Sequence, residues 1–129
     1  MKPIFTGLTP NAQADDILLN LLMLTAPTLW KKGKSIAELE HAFRNFFGHE
    51  YVFSFDSGRT SLFSILKSLN LPADCEVLLQ AYTCVAVPDP VLWTGLTPIF
   101  VDINADTLNM SAEDLEKKIT PKSKVLIIQ

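Results

Sequence analysis

The residues best placed for ligand chemistry lie together in the stretch Ser54-Phe55-Asp56-Ser57-Gly58-Arg59-Thr60-Ser61-Leu62. The apolar lead-in reads as a strand, Asp56-Ser57-Gly58 as a turn, and the residues from Thr60 onward as a helix. Such a junction aims free backbone N–H groups and the positive end of the helix dipole at one point, where folds of this kind hold a phosphate. Gly58 lets a ligand approach the backbone closely, and Arg59 and Thr60 offer a charge and a hydroxyl. The same residues also suit an ordinary turn with a helix cap, so taken alone they leave both readings open. Their spacing matches neither a Walker loop nor a G-x-G-x-x-G dinucleotide loop, and those nucleotide readings lose support.

Other reactive side chains are scattered. Cys75 and Cys84 have neither metal-ligand spacing nor companion histidine pairs. A secreted disulfide scaffold would use more cysteines in a shorter chain, so reduced thiols in a cytoplasmic protein are expected. His41 falls on the polar side of an amphipathic segment, opposite Leu39, Phe43 and Phe46, and His49 sits in the turn after it. Neither has a nucleophile or metal companion, which makes both surface residues. Asp102 closes a strand at the edge where parallel sheets bind ligands, and either borders a site or caps the next turn. Lys67, Lys117, Lys118, Lys122 and Lys124 lie on polar faces and read as solvated.

With 129 residues, 48% hydrophobic and only 19% charged, the chain suits one modest domain and not a disordered segment. A net charge of −3 without a basic stripe gives no reason to expect nucleic acid, and Lys31-Lys32 with Lys34 reads as solvated surface. The N-terminus lacks the apolar run of a signal peptide. The apolar stretch from Ile17 to Trp30 is too short and too often interrupted to cross a bilayer, so no membrane association is expected.

The elements that must position these residues emerge from periodicity. A helix is expected from about Asp15 to Leu24, with Asp15 and Asp16 suiting its positive end. A second starts at the capping box Ser35-Ile36-Ala37-Glu38, carries Ile36, Leu39, Phe43 and Phe46/Phe47 at helical spacing, and stops at Gly48. Then an alternation sets in. Tyr51 to Phe55 reads as a strand, Thr60 to Leu69 as a helix, Glu76 to Leu79 as a strand and Thr83 to Trp93 as a helix. In that last helix Pro88 and Pro90 must occupy the first turn or kink it. Pro98 to Val101 reads as a strand, the segment from Ser111 to about Ile119 as a capped helix, and Lys124 to Ile128 as a strand. This is the pattern of an α/β domain, with helices covering a mostly parallel sheet on both faces in three layers. Val125-Leu126-Ile127-Ile128 has the composition of a buried central strand with no helix after it, and an uncovered strand of that kind is an aggregation hazard. The expectation is therefore a truncated domain, or one whose partner chain covers the strand.

From residue 35 onward the order, spacing and residue types resemble the DegT/DnrJ/StrS family of aminotransferases. The family's Ser-Gly-Thr turn appears as Ser57-Gly58-Arg59, and its Pro-x-Tyr-Thr-aromatic loop as Ala81-Tyr82-Thr83-Cys84. Its Gly-x-x-Pro-x-Phe-Val-Asp strand appears as Gly95 to Asp102, and its Thr-Leu-Asn linker as Thr107-Leu108-Asn109. The resemblance implies the N-terminal part of the large domain of a fold-type I transferase dependent on pyridoxal 5'-phosphate. It divides the chain into an arm and first helix at 1–34 and an incomplete cofactor-binding domain at 35–129.

Family members transfer an amino group, usually from glutamate, to a nucleotide-linked keto-sugar for products such as cell-envelope polysaccharides. They are usually dimers, so a homodimer is expected. Carried over residue by residue, Gly58, Arg59 and Thr60 would hold the cofactor phosphate, chiefly through main-chain N–H groups, and Cys84 would lie over the pyridine ring. Two positions depart from the family: Arg59 replaces its Thr, and Cys84 its aromatic residue, with Tyr82 as the nearby ring. Cys84 otherwise reads as a small buried hydrophobe. The family's cofactor-linking lysine and pyridinium-pairing carboxylate fall beyond these 129 residues, which implies that the chain alone does not catalyse the transfer. Two other readings stay open: a non-catalytic paralogue that binds or regulates a full-length partner, and an unrelated flavodoxin-like phosphate module.

Overall fold

A computed structural model describes residues 13–27 and 34–129. The chain forms two compact units, 1–53 and 54–129.

In the first unit, α1 (Ala14–Thr25) begins where the Gln13 N–H donates to the Asp16 carboxylate at 2.9 Å. Asp15 and Asp16 lie in its first turn, as expected. The Lys31-Lys32 cluster falls outside the described residues. Helix α2 (Lys34–Phe47) takes Ser35 into its first turn, so the expected capping residue lies inside the helix. It ends at Gly48, whose φ of 67° is the left-handed geometry that closes helices. The rings of Phe43, Phe46 and His49 each pack against that of Phe47 at its C-terminal end.

Residues 51–55 form no strand, contrary to expectation. Their composition suits one, but a strand exists only through its neighbours. Among the described residues no strand is in register with them, and Tyr51 and Phe53 stay largely exposed.

The second unit holds α3 (Gly58–Ser68), β1 (Glu76–Gln80), α4 (Pro88–Trp93), β2 (Thr97–Val101), α5 (Ala112–Lys118) and β3 (Ser123–Ile127). Among the described residues the sheet has the order β2-β1-β3 and is entirely parallel. β1 is central and apolar on both faces. Val77 and Leu79 point to one side and meet Leu66, Val91 and Leu96, so α3 and α4 cover that face. Leu78, also buried, points to the other. Fully burying such side chains contributes about 1.5–3 kcal/mol each. β3 takes an edge place, with exposed residues alternating with half-buried ones.

The helix expected over Thr83–Trp93 is shorter, because α4 starts only at Pro88. Pro88 and Pro90 have no N–H to donate to Cys84 and Ala86, so upstream of Pro88 the ladder is interrupted. Only the Val87 N–H to Cys84 carbonyl and Asp89 N–H to Val85 carbonyl bonds remain. In the first turn of α4 those missing donors cost nothing. Gly95, at φ 81°, then turns the chain sharply into β2.

Two carboxylates tie the connections down. Glu76 accepts hydroxyl hydrogen bonds from Thr120, at 2.5 Å, and Ser123, at 2.9 Å, which hold its carboxyl below the ordinary glutamate value. Asp114 accepts the Asp102 N–H at 2.7 Å and pairs with Lys118, and these contacts lower its carboxyl in the same way. A depressed folded-state pKa adds stability above the unfolded value, near 4, and loses it as pH falls through the folded value. Urea midpoints should therefore be level above about pH 5 and fall below about pH 4. Glu76→Gln and Asp114→Asn should each flatten that acid limb, and an unchanged limb in both would refute the assignment.

Candidate functional site

Ser57 is the N-cap of α3. Its backbone is extended, with φ −157° and ψ 157°, and its hydroxyl accepts the Thr60 N–H at 3.2 Å while meeting the Thr60 hydroxyl at 3.0 Å. The Thr60 N–H is thus already engaged. Gly58 and Arg59, as the first two residues of the helix, have N–H groups with no carbonyl four residues back inside it. Gly58 has no positive φ, and a Cβ built there would meet nothing within 4 Å. Neither backbone strain nor crowding among the described residues demands glycine at this position.

At its other end α3 meets Leu96 and Thr94 in a cleft of about 190 Å³, beside the start of β2. The Ser57 turn, one 11-residue helix away, therefore lies toward the carboxyl edge of the sheet. Gln80 and Val101 are register partners, so Ala81 and Asp102 leave β1 and β2 at that same edge, where open α/β sheets bind ligands.

Beyond β1, Tyr82 and Cys84 are both exposed, so neither is a core residue; the buried cysteine is Cys75. Between them, the Thr83 hydroxyl oxygen is buried without a hydrogen-bond partner. A buried hydroxyl left unpaired costs about 1–3 kcal/mol, and its natural complement is a polar group from outside these residues. The Asp102 carboxylate accepts the Ile103 N–H at 2.8 Å, which gives it the turn-capping role. His41 and His49 are exposed, as expected, and His41 pairs with Asn45 at 3.3 Å.

One residue of this edge was missed by sequence reasoning. Gln80, only 8% exposed, is a buried polar side chain at the end of an apolar strand. The available signal was the family's Pro-x-Tyr-Thr pattern, whose proline position is occupied here by a residue with two N–H donors.

A parallel sheet, a capped helix start and a loop with an orphaned hydroxyl at one edge define a cofactor-binding α/β domain. Residues 12–129 match the DegT/DnrJ/EryC1/StrS aminotransferase family, and the chain belongs to that family. It is 33% identical over 99 residues to the dTDP-4-amino-4,6-dideoxy-D-glucose transaminase of Escherichia coli, covering 77% of this chain and 26% of the relative. The sugar aminotransferase CalS13 of Micromonospora echinospora superposes with a TM-score of 0.77 at 27% identity, over 96% of this chain and 34% of that one. NtdA of Bacillus subtilis, solved with bound pyridoxamine phosphate, gives 0.75 at 29%, over 88% and 27%. The chain thus spans about a quarter of the length of the curated relatives it matches. The fold is the N-terminal part of a fold-type I large domain. Among the described residues no helix is long and apolar enough to cross a membrane.

Proposed function

We propose that residues 35–129 are the phosphate-holding front part of the large domain of a pyridoxal-phosphate-dependent aminotransferase. Its acceptor is a nucleotide-linked keto-sugar, its amino donor glutamate, and its working state a homodimer. The observation that carries the reading is the start of α3. The first-turn N–H groups of Gly58 and Arg59 have no carbonyl four residues back within the helix, and a Cβ at Gly58 would meet no described atom within 4 Å. In this reading those two N–H groups and the Arg59 guanidinium hold the cofactor phosphate. The Thr60 N–H serves the Ser57 cap, and the Thr60 hydroxyl, beside the Ser57 hydroxyl, lines the turn. Cys84 lies over the pyridine ring, as an exposed thiol and not a core residue. The Thr83 hydroxyl finds its missing partner once the site is filled. When bound, the cofactor supplies the electron sink for amino transfer, and the protein supplies orientation and charge.

The test compares pyridoxamine 5'-phosphate with pyridoxamine by equilibrium dialysis. Neither has an aldehyde to react with surface lysines. The phosphate form should bind at least about tenfold more tightly, the equivalent of one charge-assisted contact. Equal affinities would overturn the assignment of the phosphate to this turn.

A further inference from the structure

Gln80 makes two hydrogen bonds that join segments far apart in sequence. Its Nε2 donates to the Tyr82 carbonyl at 3.0 Å and to the Leu108 carbonyl, 28 residues away, at 3.2 Å. The second acceptor belongs to a turn closed on itself. The Asn104 N–H donates to the Asn109 carbonyl at 2.9 Å, and the Leu108 N–H to the Asn104 carbonyl at 2.8 Å. The Asn104 side-chain oxygen accepts from the Asp106 and Thr107 N–H groups. Leu108 itself is left-handed at φ 59°. The first acceptor lies in the loop that leaves β1, where one backbone tether reaches β2 and the other is local. There the Ala81 N–H donates to the Val101 carbonyl at 2.7 Å and the Thr83 N–H to the Ala81 carbonyl at 3.2 Å.

A buried amide with both N–H groups committed to carbonyls on two loops is a cross-brace. A hydrocarbon of the same size would leave both carbonyls without that donor. We infer that Gln80 is a positioning residue: it sets the Tyr82–Cys84 backbone against the closed 104–109 turn and thereby fixes where Thr83 and Cys84 stand over a bound pyridine ring. The proposal rests on the cofactor reading above. It adds that the Thr107-Leu108-Asn109 segment, which touches no proposed ligand, is part of the site through Gln80.

The experiment uses iodoacetamide alkylation of Cys84, followed by mass spectrometry, with buried Cys75 as the internal report on folding. Saturating pyridoxamine 5'-phosphate should slow Cys84 alkylation about tenfold in the unaltered chain. In Gln80→Leu that protection should fall at least about fivefold, while inorganic phosphate affinity and the inertness of Cys75 stay unchanged, because the Ser57 turn is untouched. Gln80→Glu keeps the shape but turns a carboxylate oxygen toward the two carbonyls. It should lose protection equally and serves where Gln80→Leu exposes Cys75. A variant that was merely less stable would raise Cys75 reactivity and lower phosphate affinity together, and that pattern in both variants would overturn the proposal. Full protection retained in a folded variant would also overturn it while leaving the cofactor reading intact. No protection in the unaltered chain would remove the cofactor reading itself, and the proposal with it.

Discussion

Leu79→Ala should lower the unfolding free energy of the chain by about 3 kcal/mol, within the 2–5 expected for emptying a well-packed site. Leu79 is fully buried in the central strand and shares its cluster with Leu66, Val77, Val91 and Leu96, while Leu62 and Ile127 pack against it. Those contacts come from α3, α4, Val77 of the same strand and Ile127 of β3, on one face. No single element can close the gap without moving the others, so little of the cavity can collapse. Urea unfolding followed by circular dichroism measures the change. Leu126→Ala, at a position 41% exposed on the edge strand, is the control and should cost about 1 kcal/mol or less. Equal costs at the two positions would mean that the core is not organised around β1.

Gly58→Asp should separate binding from folding. An acidic residue in the first turn of a helix interacts favourably with its dipole, typically by about 0.3–1 kcal/mol, and the open space around Gly58 accepts a side chain. Thermal stability should therefore hold or rise slightly. The same carboxylate would stand where the phosphate dianion is expected, and like charges brought together cost several kcal/mol. Affinity for pyridoxamine 5'-phosphate should fall about 100-fold, while pyridoxamine binding changes little. Unchanged affinity for the phosphate form would place the anion elsewhere, and a large loss of stability would mean that Gly58 is structural after all.

The parts that could be read from sequence are those where local chemistry and tertiary context agree. β1 and β2 stand within a residue of their expected limits, because short β-branched and aliphatic runs bounded by turn residues have little else to become. Ser111 caps α5 through the Asp114 N–H, as its position before Glu113 and Asp114 implies. The Ser57-Gly58 turn was legible for the same reason, since its side chains act on their own backbone. Residues 51–55 show the opposite case: composition records strand propensity but not the presence of a neighbour to pair with. At Thr83–Val87 the apolar spacing suited a helix, and two prolines downstream overruled it. Gln80 was hidden because its role depends on a carbonyl supplied by Leu108, and nothing in the local pattern announces an acceptor that distant.

The order of the sheet also fixes an order in time. β1 lies between two strands that both come later in the chain, and its first residue meets Ser123 across 47 residues. During synthesis the most deeply buried strand is therefore made first and must wait, unpaired, for β2 and then for β3. Non-local parallel pairing of this kind pays its loop-closure entropy before it gains any contact, which makes it slow. Meanwhile α3 precedes β1 and is joined to it directly. Its Leu62 and Leu66 can shelter Val77 and Leu79 as soon as they emerge, so the helix that ends up presenting the turn to a phosphate also acts as an early cover for the strand.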